Sequence, residues 1–283
     1  MNEKILPIVV LYKKELQYAD SINSLLEGDV DGCITDIFVY DNSPKQHSNA
    51  APVSGIYKNR NVIYIHDPKN SGVSAAYNSG MHKAKCLGFK YVLLLDQDTI
   101  FPVDAMGVYF QSIKDNPGIN LHAPKLLTLN GEFCSPLRYA MHRGFVTNEL
   151  DPGVYSLDKY SPINSGMLLD VKMAISVGGY NKAVYLDFSD FQFIERLKDK
   201  SKEFYLMPLT LKQDLSNEDE NHKNLLNRYA IYCECARNCE RLTVYDDFIY
   251  FMMVFIRAIK LTIRTKKLKF LPVFYKKYVR GIK

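Results

Sequence analysis

Four short apolar runs, each ending in polar or turn-forming residues and separated by stretches of helical character, constrain this chain more than any other feature. Residues 5–12 read as a buried strand and 15–27 as a helix. Residues 36–40 and 61–66 read as a second and third strand, 74–87 as a helix, and 91–95 as a fourth strand. Continuous Val, Ile and Leu in strands that alternate with helices predict a parallel sheet covered on both faces. In such sheets ligands bind beyond the carboxyl ends of the strands. Those ends carry Tyr12-Lys13-Lys14, Asp41-Asn42-Ser43-Pro44, Asp67-Pro68-Lys69-Asn70-Ser71-Gly72 and Asp96-Gln97-Asp98-Thr99. The expectation is an α/β protein with its chemistry gathered at one edge of the sheet. Residues 100–160 look irregular, with strand-like pieces at Leu121 and 126–129, order resumes over 161–215, and 217–242 read as a long helix.

With 47% hydrophobic residues and 24% charged in 283, the chain can bury a substantial core and is neither disordered nor collagen-like. No run of eighteen apolar residues codes for a membrane span, and the apolar stretch at 5–11 is too short, with Pro7 inside it, for a signal peptide. Six cysteines in a chain without an export signal point to a reduced, cytoplasmic setting. The net charge of +5 conceals an asymmetry: residues 257–283 hold ten Lys or Arg and no acid, leaving 26 basic and 31 acidic residues in 1–256. Nine apolar residues, 248–256, precede that basic tail, and apolar residues recur within it. The mixture suits a helix lying at the anionic inner face of a membrane; the alternative is a terminal helix packed on the body with its basic residues solvated. No nucleic-acid motif accompanies the tail, so nucleic acid is not an expected partner.

Asp96-Gln97-Asp98 is the most informative triplet. Two carboxylates with one residue between them, directly after an apolar strand, suit a hard divalent cation such as Mg²⁺, which binds through one or two carboxylates plus substrate phosphates; the alternative is a surface turn. Asp41 ends the second strand and offers only acceptors to a base or ribose, or else serves as a turn residue. Asn70-Ser71-Gly72 opens a helix whose N-terminus favours phosphate, with Gly72 permitting close backbone approach. Cys233, Cys235 and Cys239 lack a fourth ligand at zinc spacing and read as buried thiols, and His66, His82, His122 and His142 show no metal spacing.

Taken together these elements resemble the family 2 glycosyltransferases of the GT-A fold, in particular a bacterial rhamnosyltransferase-like branch. Asp41-Asn42-Ser43 matches the family's second-strand element, and Asn70, Gly72, Ala76, Asn78 and Gly80 match its Asn-x-Gly and Ala-x-Asn-x-Gly pattern. Asp96 to Thr99 matches the Asp-Gln-Asp-Ser/Thr form of the metal motif. Asn164-Ser165-Gly166 resembles the acceptor-side element, Gly178-Gly179-Tyr180-Asn181 and Tyr185-Leu186-Asp187-Phe188-Ser189-Asp190 resemble its later motifs, and Ala236-Arg237-Asn238 resembles an Arg-Asn pair. The resemblance covers roughly residues 5–240.

The resemblance implies a Rossmann-like, mostly parallel sheet with helices on both faces and a C-terminal helical extension. It implies a catalytic unit over 1–215, with a nucleotide-sugar half at about 1–100 and an acceptor half at 101–215, followed by a helical region at 216–283. Tyr12, Asp41, Asn70, Gly72, Asn78, Asp96 and Arg196 would bind a nucleotide-diphosphate sugar, and Asp98 with Asp96 a Mg²⁺ or Mn²⁺ ion. Ser165 and Gly166 would stand on the acceptor side. Asp190 would be the base of an inverting transfer, with Asp187 the rival; a helix-capping role for Asp190 is compatible with either. The acceptor would be a saccharide or lipid-linked saccharide in bacterial surface polysaccharide synthesis, and rhamnose is the sugar the Asp-Gln-Asp-Thr variant suggests. The chain departs from the family at Leu11-Tyr12-Lys13, at Gln192 and at Gln213, in whose neighbourhood the family often has a His. Two rival readings are a sugar-phosphate nucleotidyltransferase, whose Gly-rich basic signature residues 8–15 lack, and a non-catalytic sugar-binding protein at a membrane.

Overall fold

A computed structural model describes residues 3–46, 55–214 and 222–282. In chain order the first half comprises β1 (Ile5–Leu11), α1 (Asp20–Gly28), β2 (Asp36–Asp41), β3 (Gly55–Tyr57), β4 (Arg60–His66), α2 (Gly72–Leu87) and β5 (Tyr91–Asp96). Then follow β6 (Thr99–Ile100), α3 (Ala105–Asp115), β7 (Leu121–Thr128), β8 (Phe133–Ser135), β9 (Leu137–Ala140) and β10 (Arg143–Phe145). The remainder is β11 (Gly153–Ser156), β12 (Tyr160–Ser161), β13 (Leu168–Asp170), α4 (Val171–Ser176), α5 (Ser189–Leu197), β14 (Glu203–Gln213), α6 (His222–Asn238), α7 (Val244–Thr265) and α8 (Phe270–Val273), with a π-helical turn at Phe274–Val279.

The central sheet has the order β11-β14-β7-β13-β5-β1-β2-β4-β3, with β6 on β14 and β8 on β7, and β10-β9-β12 form a small separate sheet. Its heart, β5-β1-β2-β4, is parallel throughout, and β13 then enters antiparallel to β5. Every residue of β1 is buried. Side chains alternate along a strand, so Ile5, Val9 and Leu11 join the core under α1 and α3, while Leu6, Ile8 and Val10 join the core under α2, α4 and α5. The two-sided burial is the physical reason that the strand reads as an unbroken apolar run. On the second face α2 lies so close to β1 that a Cβ at Gly80 would stand 2.5 Å from Ile8 Cδ1.

The GT-A-type mixed α/β architecture and the C-terminal helical part are as expected, with differences in detail. The expected helix at 15–27 is a short 3-10 turn, Leu16–Tyr18, followed by α1. Residues 100–160 are not irregular: Ala105, Met106, Tyr109 and Ile113 give α3 a buried face. Of the expected helix at 217–242, residues 217–221 lie outside the described residues, and the helix ends at Asn238. Arg241 folds back to donate to the carbonyls of Ala236, Arg237 and Cys239, and Thr243 with Asp246 forms a capping box that starts α7.

A third apolar cluster joins Val184 and Phe188 to the buried faces of α6 and α7 and to Phe270, Phe274 and Tyr278 of the tail. The tail is thus packed, not a free amphipathic helix; Arg237 donates to the Val279 carbonyl (2.8 Å) and Lys277 pairs with Glu234 (2.6 Å). Cys233, Cys235 and Cys239 are buried thiols in the same cluster.

Candidate active site

The topology makes a switch point between β1 and β5, because the β1–α1–β2 crossover lies on one face and the β4–α2–β5 crossover returns on the other. At that point a cavity of about 440 Å³ opens, lined among others by Tyr12, Asn42, Asn70, Gly72, Asp96, Gln97, Asp98, Asn164, Tyr185, Asp190, Gln213 and Arg228. Residues separated by more than 130 positions therefore share one wall.

Asp96, the last residue of β5, is held at both oxygens: Tyr77 Oη donates to Oδ1 (2.9 Å) and Gln213 Nε2 to Oδ2 (3.2 Å). Burial raises its pKa, and those two donors counter the rise. Gln97 turns back to accept from the Tyr12 amide (2.8 Å), tying the end of β1 to the loop after β5. Asp98 is different. Its Oδ1 is buried without a hydrogen-bond partner among the described residues. Burial first, then the neighbouring Asp96 carboxylate, lifts its pKa from 3.8 to about 6. Two adjacent carboxylates, one with an orphaned oxygen, form a site short of positive charge, which is the electrostatic demand that a hard divalent cation answers. Among the described residues no three His, Cys, Asp or Glu side chains converge as a complete ligand set, so a cation here would draw its remaining ligands from substrate phosphates and water.

In the same cavity Asp190 lies in the first turn of α5, one residue past the helix start; Phe188, with φ at 66°, holds the capping position expected for Asp190. Asp190 Oδ1 accepts from the Phe191 amide (2.9 Å). Burial raises its pKa to about 6, assisted by the charges of Asp96 and Asp187. A carboxylate poised there is ionised at pH 7 yet basic enough to take a proton. Asp187 does not line the cavity; its Oδ1 is paired with Arg228 (2.9 Å), a residue of α6 that itself reaches the cavity.

Several expected site residues are placed elsewhere. Asp41 is buried, accepting from the Ser43 amide (2.9 Å) and from Tyr64 Oη (2.6 Å), so it shapes the loop that presents Asn42 instead of facing the cavity. Asn78 clasps both the amide and the carbonyl of Tyr180 at 2.8 Å. Arg196 ties α5 to Glu240 and to the Gly179 carbonyl. Ser165 is buried against Thr99, and Gly166 is buried behind the wall, its carbonyl accepting from Tyr109 Oη (2.7 Å). The residue of that segment facing the cavity is Asn164. The N-terminus of α2 is partly used within the protein, since the Val73 amide donates to the Tyr185 carbonyl (2.9 Å). Gly72, at φ 84°, is required by that approach: a Cβ would stand 2.1 Å from the same oxygen.

Sequence reasoning missed Tyr77 and Arg228 and treated Gln213 only as a departure. Tyr77 was one apolar helix residue among many, and nothing local marks it as the donor to Asp96. Gln213 reaches the site because β14 pairs with β6 and aligns Gln213 with Thr99.

Residues 8–125 match the sequence model of the glycosyl transferase family 2. No curated protein matches the chain. Among solved structures, residues 1–349 of TarS from S. aureus superpose with a TM-score of 0.61 at 15% identity, covering 99% of this chain and 81% of that one. The same fragment in complex with UDP-GlcNAc gives 0.59 at 13%, covering 99% and 82%. GalNAc-T7 with UDP, GalNAc and Mn²⁺ gives 0.58 at 12%, covering 81% of this chain and 47% of that one. Together with the sheet topology, these matches show that the chain has the GT-A fold and that its residues 8–125 match the glycosyl transferase family 2.

Proposed function

We propose that this chain is a glycosyltransferase that transfers a sugar, with inversion at the anomeric carbon, from a nucleotide-diphosphate sugar to a saccharide or lipid-linked saccharide acceptor. The observation that carries the reading is that Asp96 and Asp98 at the end of β5 and Asp190 in α5, from two separate stretches of chain, line one cavity at the switch point of the sheet. The nucleoside would lie over Tyr12 and Asn42 at the ends of β1 and β2, with the diphosphate toward Asp98. Asp98, supported by Asp96, would hold a Mg²⁺ or Mn²⁺ ion, whose role is to neutralise the departing diphosphate.

Asp190 takes the proton of the acceptor hydroxyl as that oxygen forms its bond to the anomeric carbon. The bond from that carbon to the phosphate oxygen breaks, and the electron pair leaves with the nucleoside diphosphate. Arg228 holds Asp187 as a paired anion, which favours Asp190 over Asp187 for the base. The catalytic unit is taken as residues 1–215, its donor half at about 1–100 and its acceptor half at 101–215, with 216–283 as the helical region. Rhamnose as the donor sugar, and a role in bacterial surface polysaccharide synthesis at the inner face of the plasma membrane, rest on the resemblance and the basic C-terminal segment.

The test is release of nucleoside diphosphate from a panel of nucleotide sugars, with and without Mg²⁺ or Mn²⁺. Asp190→Asn should retain donor binding and lower turnover by at least ~100-fold. The wild-type rate should fall as pH drops through about 6, where Asp190 takes up its proton. Full activity in Asp190→Asn would remove its assignment as base, and no turnover of any sugar nucleotide would refute the reading.

A further inference from the structure

α7 is apolar on two opposite faces. Tyr250, Val254 and Ala258 are buried against α6 and the 184–188 segment. On the other side stand Tyr245, Phe248, Met252, Ile256, Ile259 and Ile263, spaced by three or four residues. At 3.6 residues per turn they fall within an arc of about 80° and run for about 27 Å. Phe248 is 57% exposed and Ile263 71%. Solvated helix faces are normally polar, and a contiguous apolar stripe of this length marks an interaction surface.

The charges around the stripe identify its partner. Lys260 and Arg264 flank it, and Lys266, Lys267 and Lys269 follow on exposed positions beside Leu268, which is itself 72% exposed. No acidic residue occurs after Asp247. The two acids at the start of α7 are engaged within the protein, Asp246 with His142 (3.0 Å) and Asp247 with Arg241 (2.7 Å). An apolar stripe bordered by cations and no available anion complements an anionic bilayer surface. No described helix is long and apolar enough to cross a membrane, so the contact is one of lying on the surface.

We infer that the outer face of α7, with the exposed basic residues 266–269 that follow it, is a preformed seat for an anionic lipid bilayer, and that the segment 270–279 packed behind it is scaffold. This sharpens the membrane part of the proposed function and rests on that reading only for the acceptor. Through α7 the seat connects to the catalytic cavity: Arg257, on the same helix, stacks over Tyr232 of α6 (4.3 Å to the ring centroid), and α6 supplies Arg228 and Ile231 to the cavity wall.

The full-length protein should co-sediment with vesicles of phosphatidylglycerol and phosphatidylcholine and not with phosphatidylcholine alone. Phe248→Ser and Ile259→Ser, both at exposed positions, should each weaken partitioning on the order of 10-fold. Replacing Lys266, Lys267 and Lys269 by Gln should weaken it on the order of 100-fold. Unaltered thermal unfolding and unchanged nucleoside diphosphate release would show that the variants are folded. Failure of the wild-type protein to bind the anionic vesicles overturns the inference, as does light scattering that shows a dimer lost on Phe248→Ser, which would assign the stripe to a second copy. Vesicle binding requires no sugar nucleotide, so it stands or falls separately from the transferase reading.

Discussion

Asp98→Asn should make the metal-free protein more stable while removing its response to metal. Asp98 is carried from 3.8 to about 6 in the folded protein, by burial first and by Asp96 second. A folded-state pKa above the unfolded value means that the ionised form destabilises the native state. Stability is therefore highest below the unfolded pKa and is lost as pH rises through about 6. At 1.36 kcal/mol per pH unit the full loss approaches about 3 kcal/mol above pH 7. Asn keeps the shape and removes the charge, recovering up to that amount. With about 2.1 cal/mol/K of unfolding entropy per residue, the melting temperature should rise by as much as about 5 °C. The assay is thermal unfolding in chelator at pH 7.5 and again at pH 4, where the wild-type carboxyl is protonated and the difference should shrink toward zero. With Mn²⁺ and UDP the wild type should gain stability and the variant should not. A variant that melts at or below the wild-type temperature at pH 7.5, or a gap independent of pH, would refute the electrostatic account of this carboxylate pair.

His142 bridges Glu195 (2.6 Å) and Asp246 (3.0 Å), and the hydrogen bond to Glu195 foremost raises its pKa. That stabilisation is complete below about 6.5 and fades as pH climbs through the raised value, so His142→Gln should cost about 2 kcal/mol at pH 6 and distinctly less at pH 9, as read by denaturant titration. Gly72→Ala forces a Cβ onto the Tyr185 carbonyl at a left-handed φ and should cost more than ~2 kcal/mol, with weakened donor binding measured by thermal shift; an unchanged melting temperature would contradict the close approach described here.

The layered α/β fold was legible in the sequence because its signals are local. A strand buried on both faces must be apolar at every position, as β1 is, and a strand end that meets a ligand must turn polar, as Asp96-Gln97-Asp98 does. Residues 105–115 concealed α3 because Gly107 interrupts its apolar positions and Pro102 and Pro117 stand close on either side, and packing against α1, β7 and β14 is what gives them a buried face. The carboxylates at 96, 98 and 190 could be nominated from motifs, but their meeting depends on β13 running back beside β5 and on β14 reaching β6. No local pattern states that Asp41 and Asn78 turn inward to shape loops, that Tyr77 and Gln213 hold Asp96, or that Arg228 occupies Asp187. Hydrophobic periodicity thus determined the layers by itself. The tertiary structure decided which polar groups are consumed as internal partners and which are left facing the cavity, because that choice depends on contacts between residues up to about a hundred positions apart or more.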